Sequence, residues 1–361
     1  MKKALALLMA LCVAFGAVAC AAPALETTGP AAEATAEAVV ETTEETPAIS
    51  ELNIIYITPS TESQYWGEYM LVGVENAAAD IEAQYGVKVN ISMVGPALEA
   101  ETDGYVKAFE NAIAKKPDAI ITGTLVPDAT APLVQEAFKQ GIIVNFMSLG
   151  LAEGYEEFYG TKYYCDMGAQ GAEAAKAMLV AMEAKGIEPK GKVGVHMSVV
   201  VPALEPRMSE FAKYMAANAP EIECLVTLYN ENDVNNAQAN CENQISTYGA
   251  ELIGLYGANN VSGDGLTLAI KNAGLSGKIA AVAIDSDDLE VEALANGTLD
   301  AIVVQTPYQQ AYTAVMSVYN KIVLGQSDEK DVNVNAVTVT KDKMNDDEFK
   351  ALLDPTLNKR G

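Results

Sequence analysis

Asp285 closes an apolar run of strand length, Ile279 to Ile284, and Gln305 closes another, Leu299 to Val304. A carboxylate and a carboxamide fixed at such points accept and donate hydrogen bonds at set positions, which suits holding a polar molecule rather than making bonds. Other apolar runs end in the same way. Ser60, Ser63, Gln64, Tyr65 and Trp66 follow Leu52 to Ile57, and Ser148 follows Ile142 to Met147. Glu205 and Arg207 follow the run that holds His196, and Asn259 and Asn260 follow Leu252 to Leu255. Open parallel sheets bind ligands beyond the carboxyl ends of their strands, so these positions are the candidate ligand contacts. Flat rings beside Asp, Asn and Gln describe a site for a small polyhydroxylated or similarly polar molecule. The rings cover C–H faces while the carboxylate and amides pair with hydroxyls. Taken singly, Asp285 also fits a helix cap, Gln305 an ordinary boundary residue, and Tyr65 and Trp66 the packing of a helix on a sheet.

Covalent chemistry finds little support. No Gly-x-Gly-x-x-Gly follows the first apolar run, and neither a Gly-x-x-x-x-Gly-Lys-Ser/Thr loop nor a Gly-x-Ser-x-Gly elbow occurs. His196 is the single histidine and lies within the apolar run Val193 to Val201, where a strand residue is expected rather than a catalyst or metal ligand. No metal and no cofactor is expected, and the chain reads as a binder, not an enzyme. A net charge of −26 argues against nucleic acid or anionic lipid as a partner, since both would repel it.

The elements that position these residues alternate. From Leu52 onward, strand patterns and helix patterns succeed one another almost without interruption, as a parallel sheet with helices on both faces requires. Four such units run to about Met147, and a second series of the same grammar begins at Met167. The expected fold is α/β, with two doubly wound parallel-sheet lobes and a cleft between them. Gly168 to Gly171 reads as close helix packing or a helix start. Ahead of the lobes, Lys2-Lys3, the apolar run Ala4 to Val18 and Ala19-Cys20 form a secretory signal over 1–19. The small residues before Cys20 resemble a bacterial lipobox, which implies lipidation of Cys20 and attachment to the outer face of a cell membrane; plain cleavage near Ala19, giving a soluble secreted protein, is the alternative. Residues 20–50 are mostly Ala, Thr, Glu and Pro, with no lysine or arginine, and are expected to form a disordered acidic tether. Cys165, Cys224 and Cys241 are odd in number and far apart, and buried thiols are expected.

From about Leu52 to Leu353 the chain resembles the type I periplasmic substrate-binding proteins of ABC transporters, in the branch with the ribose- and galactose-binding proteins. Carrying the resemblance are Ser63-Gln64-Tyr65-Trp66 with Gly73 and Ala77-Ala78, Asp118-Ala119-Ile120-Ile121, Gly257-Ala258-Asn259-Asn260, Asp285, Asn296-Gly297 and Val304-Gln305-Thr306-Pro307-Tyr308. It implies that Asn259, Asp285 and Gln305 contact ligand from one lobe, and Gln64, Tyr65 and Trp66 from the other. It also implies three hinge crossings, near Tyr164, Thr306 and Val334, hence an N-terminal lobe of 51–164 plus 306–334 and a C-terminal lobe of 165–305 plus 335–361. The implied partners are a sugar-like solute and an ABC transporter permease; a receptor docking on a chemoreceptor or sensor kinase is the alternative. Two departures stand out. Ser148-Leu149 replaces an Asp-Arg pair, and Glu205 stands where an arginine is common, with Arg207 matching a second arginine. Fewer cationic forks and an added carboxylate shift the expected ligand toward one with more donors.

Overall fold

The computed structural model describes residues 49–360. The expected leader 1–19, Cys20 and all but the last two residues of the tether lie outside them.

The N-terminal lobe is built from β1 (Glu51–Ile57), α1 (Met70–Tyr85), β2 (Lys88–Val94), α2 (Thr102–Ala114), β3 (Ala119–Thr122), α3 (Pro127–Lys139), β4 (Ile143–Met147) and β5 (Lys162–Tyr164). The C-terminal lobe follows with α4 (Met167–Lys185), β6 (Gly191–Met197), α5 (Glu205–Asn218), β7 (Ile222–Cys224), β8 (Leu228–Tyr229), α6 (Val234–Tyr248), β9 (Leu252–Gly257), α7 (Asn260–Asn272), β10 (Ala280–Ile284), α8 (Asp288–Asn296) and β11 (Ala301–Val304). The chain then returns to the first lobe as α9 (Pro307–Val323) and β12 (Asp331–Asn333), and crosses again to β13 (Val337–Thr340) and α10 (Asp347–Leu353).

One sheet has the order β12-β5-β4-β3-β1-β2 and the other β13-β11-β10-β9-β6-β7, with β8 alongside β6. Both orders reverse direction at the first strand of the lobe, which opens a crevice at the carboxyl edge of each sheet. Strands such as β3 and β10 are buried along their whole length because helices cover both faces. In the first lobe α1 and α9 cover one face, α2 and α3 the other. In the second, α4 and α5 lie on one face and α6, α7, α8 and α10 on the other. The sheets are parallel except at one edge, where β13 runs antiparallel to β11.

Several expectations change in detail. The stretch Ile222 to Leu228 has the pattern of one strand but is broken into β7 and β8, and the short edge strands β5, β12 and β13 carry no clear periodicity in the sequence. Gly171 is a packing glycine: a Cβ there would stand 2.1 Å from the Arg207 carbonyl, so α4 and α5 touch backbone to backbone. His196 is buried in β6, bonds Gln244 Oε1 at 2.9 Å, and is pushed by burial to a pKa of about 4. Cys165 and Cys241 are buried free thiols, whereas Cys224 is only half-buried near the end of an edge strand. The last residues do not stay with the C-terminal lobe as the range 335–361 supposes. After α10 the chain returns to α1, where Asn76 Nδ2 donates to Asn358 O at 2.7 Å and Arg360 pairs with Asp80. The cause is local: α1 presents Asp80 and Asn76, and Arg360 supplies the opposite charge.

Candidate functional site

The carboxyl ends of both sheets face each other across a cavity of about 60 Å³. From the N-terminal lobe come Ser63, Tyr65 and Trp66 after β1, Glu99 after β2, Leu125 after β3, and Ser148 and Leu149 after β4. From the C-terminal lobe come Met197, Ser198 and Arg207 after β6, Asn259 and Asn260 after β9, Asp285 after β10 and Gln305 after β11.

Each polar group has a structural reason to be where it is. Asp285 is not a helix cap; Asp287 caps α8 by accepting from Glu290 N. Asp285 instead accepts from Gln305 Nε2 at 2.6 Å and from Asn260 N at 3.3 Å. Its backbone is left-handed at φ +92°, and Ser148 across the cavity has φ +62°. Non-glycine residues pay for such conformations, and they cluster where a side chain must be aimed. Burial raises the Asp285 carboxyl, although the Arg207 guanidinium and the bonds from Gln305 and Asn260 pull the other way. Arg207 is itself buried and gives Nη1 to Ala258 O at 3.0 Å. Asn259 caps α7, its Oδ1 accepting from Ser262 N.

Opposite them, a wide π-type turn over Gln64–Tyr69 leads into α1 and is opened by the Ser63 cap. Tyr65 and Trp66 pack edge to face with centroids 4.9 Å apart, and belong to the lobe's apolar cluster as well as to the cavity wall. The Trp66 ring lies against Gly123, where a Cβ would stand 2.6 Å from it. Its indole Nε1 donates to Glu99 Oε1 at 2.9 Å. Burial lifts the Glu99 carboxyl and the Asp285 charge adds to this, against the bond from Trp66. Tyr65 OH, Arg207 Nε and Gln305 Oε1 are buried without a partner among the described residues. An unpaired buried polar atom is costly, so three around one cavity mark a surface built for a hydrogen-bonding guest.

A family model for the periplasmic binding protein domain matches residues 54–327. The chain belongs to that family. Among solved structures, this binding protein is similar to an ABC transporter solute-binding protein from Agrobacterium vitis bound with alpha-D-tagatopyranose, at 26% identity and a TM-score of 0.74, covering 84% of this chain and 99% of that one. A second from Agrobacterium vitis, with bound D-fucose, has 29% identity and a TM-score of 0.72 over 83% of this chain and 99% of that one. A carbohydrate transporter solute-binding protein from Agrobacterium radiobacter in complex with D-arabinose, at 23% identity and a TM-score of 0.74, covers 85% of this chain and all of that one, and shows the fold. No curated protein sequence matches the chain.

Tyr65, Trp66, Ser148, Arg207, Asn259, Asp285 and Gln305 thus come together in this binding protein's cleft. Three expected contacts do not. Ser60 is buried, but its hydroxyl donates to Ala97 O at 2.6 Å and accepts from Ser63 N, so it shapes the loop. Gln64 turns outward, its Oε1 accepting from Asp288 N at 3.4 Å across the lobes. Glu205 is exposed on the first turn of α5; two residues along a helix point to nearly opposite sides, so burying Arg207 turns Glu205 to solvent. The added carboxylate read at Glu205 is in the cleft after all, but it is Glu99. That residue sits in an irregular loop past β2, and no periodicity in the sequence marks it.

Proposed function

We propose that this binding protein captures a small polar solute, a sugar or sugar-like molecule, between its lobes and hands it unaltered to an ABC importer. The carrying observation is the ring of unpaired buried polar atoms, Tyr65 OH, Arg207 Nε and Gln305 Oε1, contributed by both lobes to one cavity. The sugars held by the two Agrobacterium vitis relatives support the solute class. The cavity has room for about two waters, less than a pyranose ring, so a solute enters as the lobes part and is enclosed by contacts from each. Such a solute stabilises the closed form, and the permease reads closure.

Release without chemistry fits the residues at hand. The one histidine lies outside the cavity lining, and among the described residues the hydroxyls of Ser63, Ser148 and Ser198 make no hydrogen bond to it or to the cavity carboxylates. An extracytoplasmic location follows from the family, and the lipid anchor at Cys20 would hold the protein at the outer face of the membrane. The test is a thermal-shift and calorimetry screen of the purified protein against aldoses, ketoses and deoxysugars. A binder at a hundred times its Kd adds about 2.7 kcal/mol to stability. Conversion of a bound compound into another would overturn the reading. For the anchor, Cys20→Ala should move the protein from the membrane fraction to the soluble one.

A further inference from the structure

The cavity lining holds only three groups that carry a formal charge, Glu99, Asp285 and Arg207, and they do not balance. Arg207 enters no salt bridge among the described residues. Its positive charge can offset one carboxylate at most. Asp285 already accepts two protein hydrogen bonds, one to each oxygen. Glu99 accepts one, the Trp66 indole N–H on Oε1, and no protein donor among the described residues reaches Oε2. A surplus carboxylate is costly to desolvate in a closed cleft; a guest hydroxyl can bond it, but only a cationic guest both bonds it and offsets its charge.

Resting on the solute-binding reading above, we propose that the solute carries a protonated amine, as an amino sugar or another small hydroxylated amine does, and that Glu99 selects it. The arrangement divides the work. Asp285, Asn259, Gln305 and Arg207 hold hydroxyls from one lobe, and Glu99 meets the ammonium from the other, so the amine completes the contact that closes the lobes. Trp66 serves as a positioning residue for Glu99: its ring is wedged on Gly123, and its indole N–H fixes one carboxylate oxygen and leaves the other for the guest. Burial is what raises both the Glu99 and the Asp285 carboxyls, and for Glu99 the negative charge of Asp285 adds to it.

The test is calorimetry on the full mature protein with matched pairs: D-galactosamine and D-galactose, D-glucosamine and D-glucose, D-mannosamine and D-mannose. In at least one pair the amine is expected to bind about tenfold tighter or better, the margin of one charge-assisted hydrogen bond. Glu99→Gln, which keeps the shape and the acceptor for the indole, should collapse that ratio to near one. If neutral sugars bind as tightly as their amines, or Glu99→Gln leaves the ratio intact, the inference fails while the solute-binding reading stands. If no member of any pair binds and neutral sugars of the wider screen do not bind either, both fall together.

Discussion

At the scale of single residues, Asp285 carries the most weight. Among the described residues, its carboxylate is the only group in the cleft that accepts from two neighbouring strand ends at once, β11 through Gln305 and β9 through Asn260. Asp285→Ala removes that acceptor and leaves the Gln305 amide unpaired, which should weaken solute binding by about 1 to 3 kcal/mol, ten- to a hundredfold, in calorimetry with any sugar the screen identifies. Asp285→Asn is the informative companion, since asparagine tolerates the left-handed backbone at this position. It should keep its melting temperature while losing affinity. Asp285 and Gln305 are legible in the sequence because each follows directly on an apolar run, and Asn259 because it follows closely on one; a strand's end fixes where the next side chains go. Glu99 is not, because a loop that runs on past its strand obeys no period. Gln64 and Glu205 also follow apolar runs and lie beside cleft residues in the sequence, but the turn of a helix takes their side chains elsewhere.

At the scale of elements, the close approaches between helices and strand ends decide where the cleft side chains sit. Gly123→Ala would set a Cβ 2.6 Å from the Trp66 ring and as close to the Met147 carbonyl. Overpacking of this kind costs about 1 to 3 kcal/mol, and it should displace the indole, lowering both melting temperature and solute affinity. The pair α7 and α8 makes a different prediction. Glu290 is fully buried, close against Gly263, with no partner for either carboxylate oxygen among the described residues, and Asp264 and Asp287 share its surroundings. Burial raises the Glu290 carboxyl and, with the charge of Asp287 adding, raises that of Asp264. A carboxyl whose folded pKa exceeds its unfolded value of about 4 holds its proton more tightly in the native state. That stability is complete below the unfolded value and is lost as the pH rises through the folded one. Melting temperature should therefore fall as the pH is raised above about 4, and Glu290→Gln should flatten the decline. The alternation of strands and helices made most of these elements readable in advance. The short strands β5, β12 and β13 were not, because runs of three or four residues are too brief for a period to show.

At the scale of the whole molecule, two sheets of matching strand order meet at their carboxyl edges, and the chain passes between them at positions where the backbone is left-handed, Thr306 with φ +55° and Asn335 with φ +50°. A non-glycine residue there carries strain of about 1 kcal/mol or more, so Thr306→Gly should raise stability modestly while loosening the angle between the lobes. The returning tail opposes that looseness. With α10 anchored in the second lobe and residues 355–360 laid on α1 of the first, it bridges the lobes without belonging to a hinge strand. Arg360 is more than half exposed, so Arg360→Ala should shift the balance of open and closed forms by no more than about fivefold. Removing residues 355–361 should do more, seen as a larger radius of gyration in solution scattering. The two-lobe plan was readable from the repeated grammar of the chain. The tail's return was not, because it rests on a few polar contacts between segments far apart in sequence.

One placement has a practical consequence. The chain has a single tryptophan, and its indole stands at the wall of the cleft with its N–H on a carboxylate. Excited at the red edge of indole absorption, beyond that of the sixteen tyrosines, the unlabelled protein therefore emits from one spot. Whatever fills the cleft must change the polarity around that ring, so the molecule can be titrated by its own light.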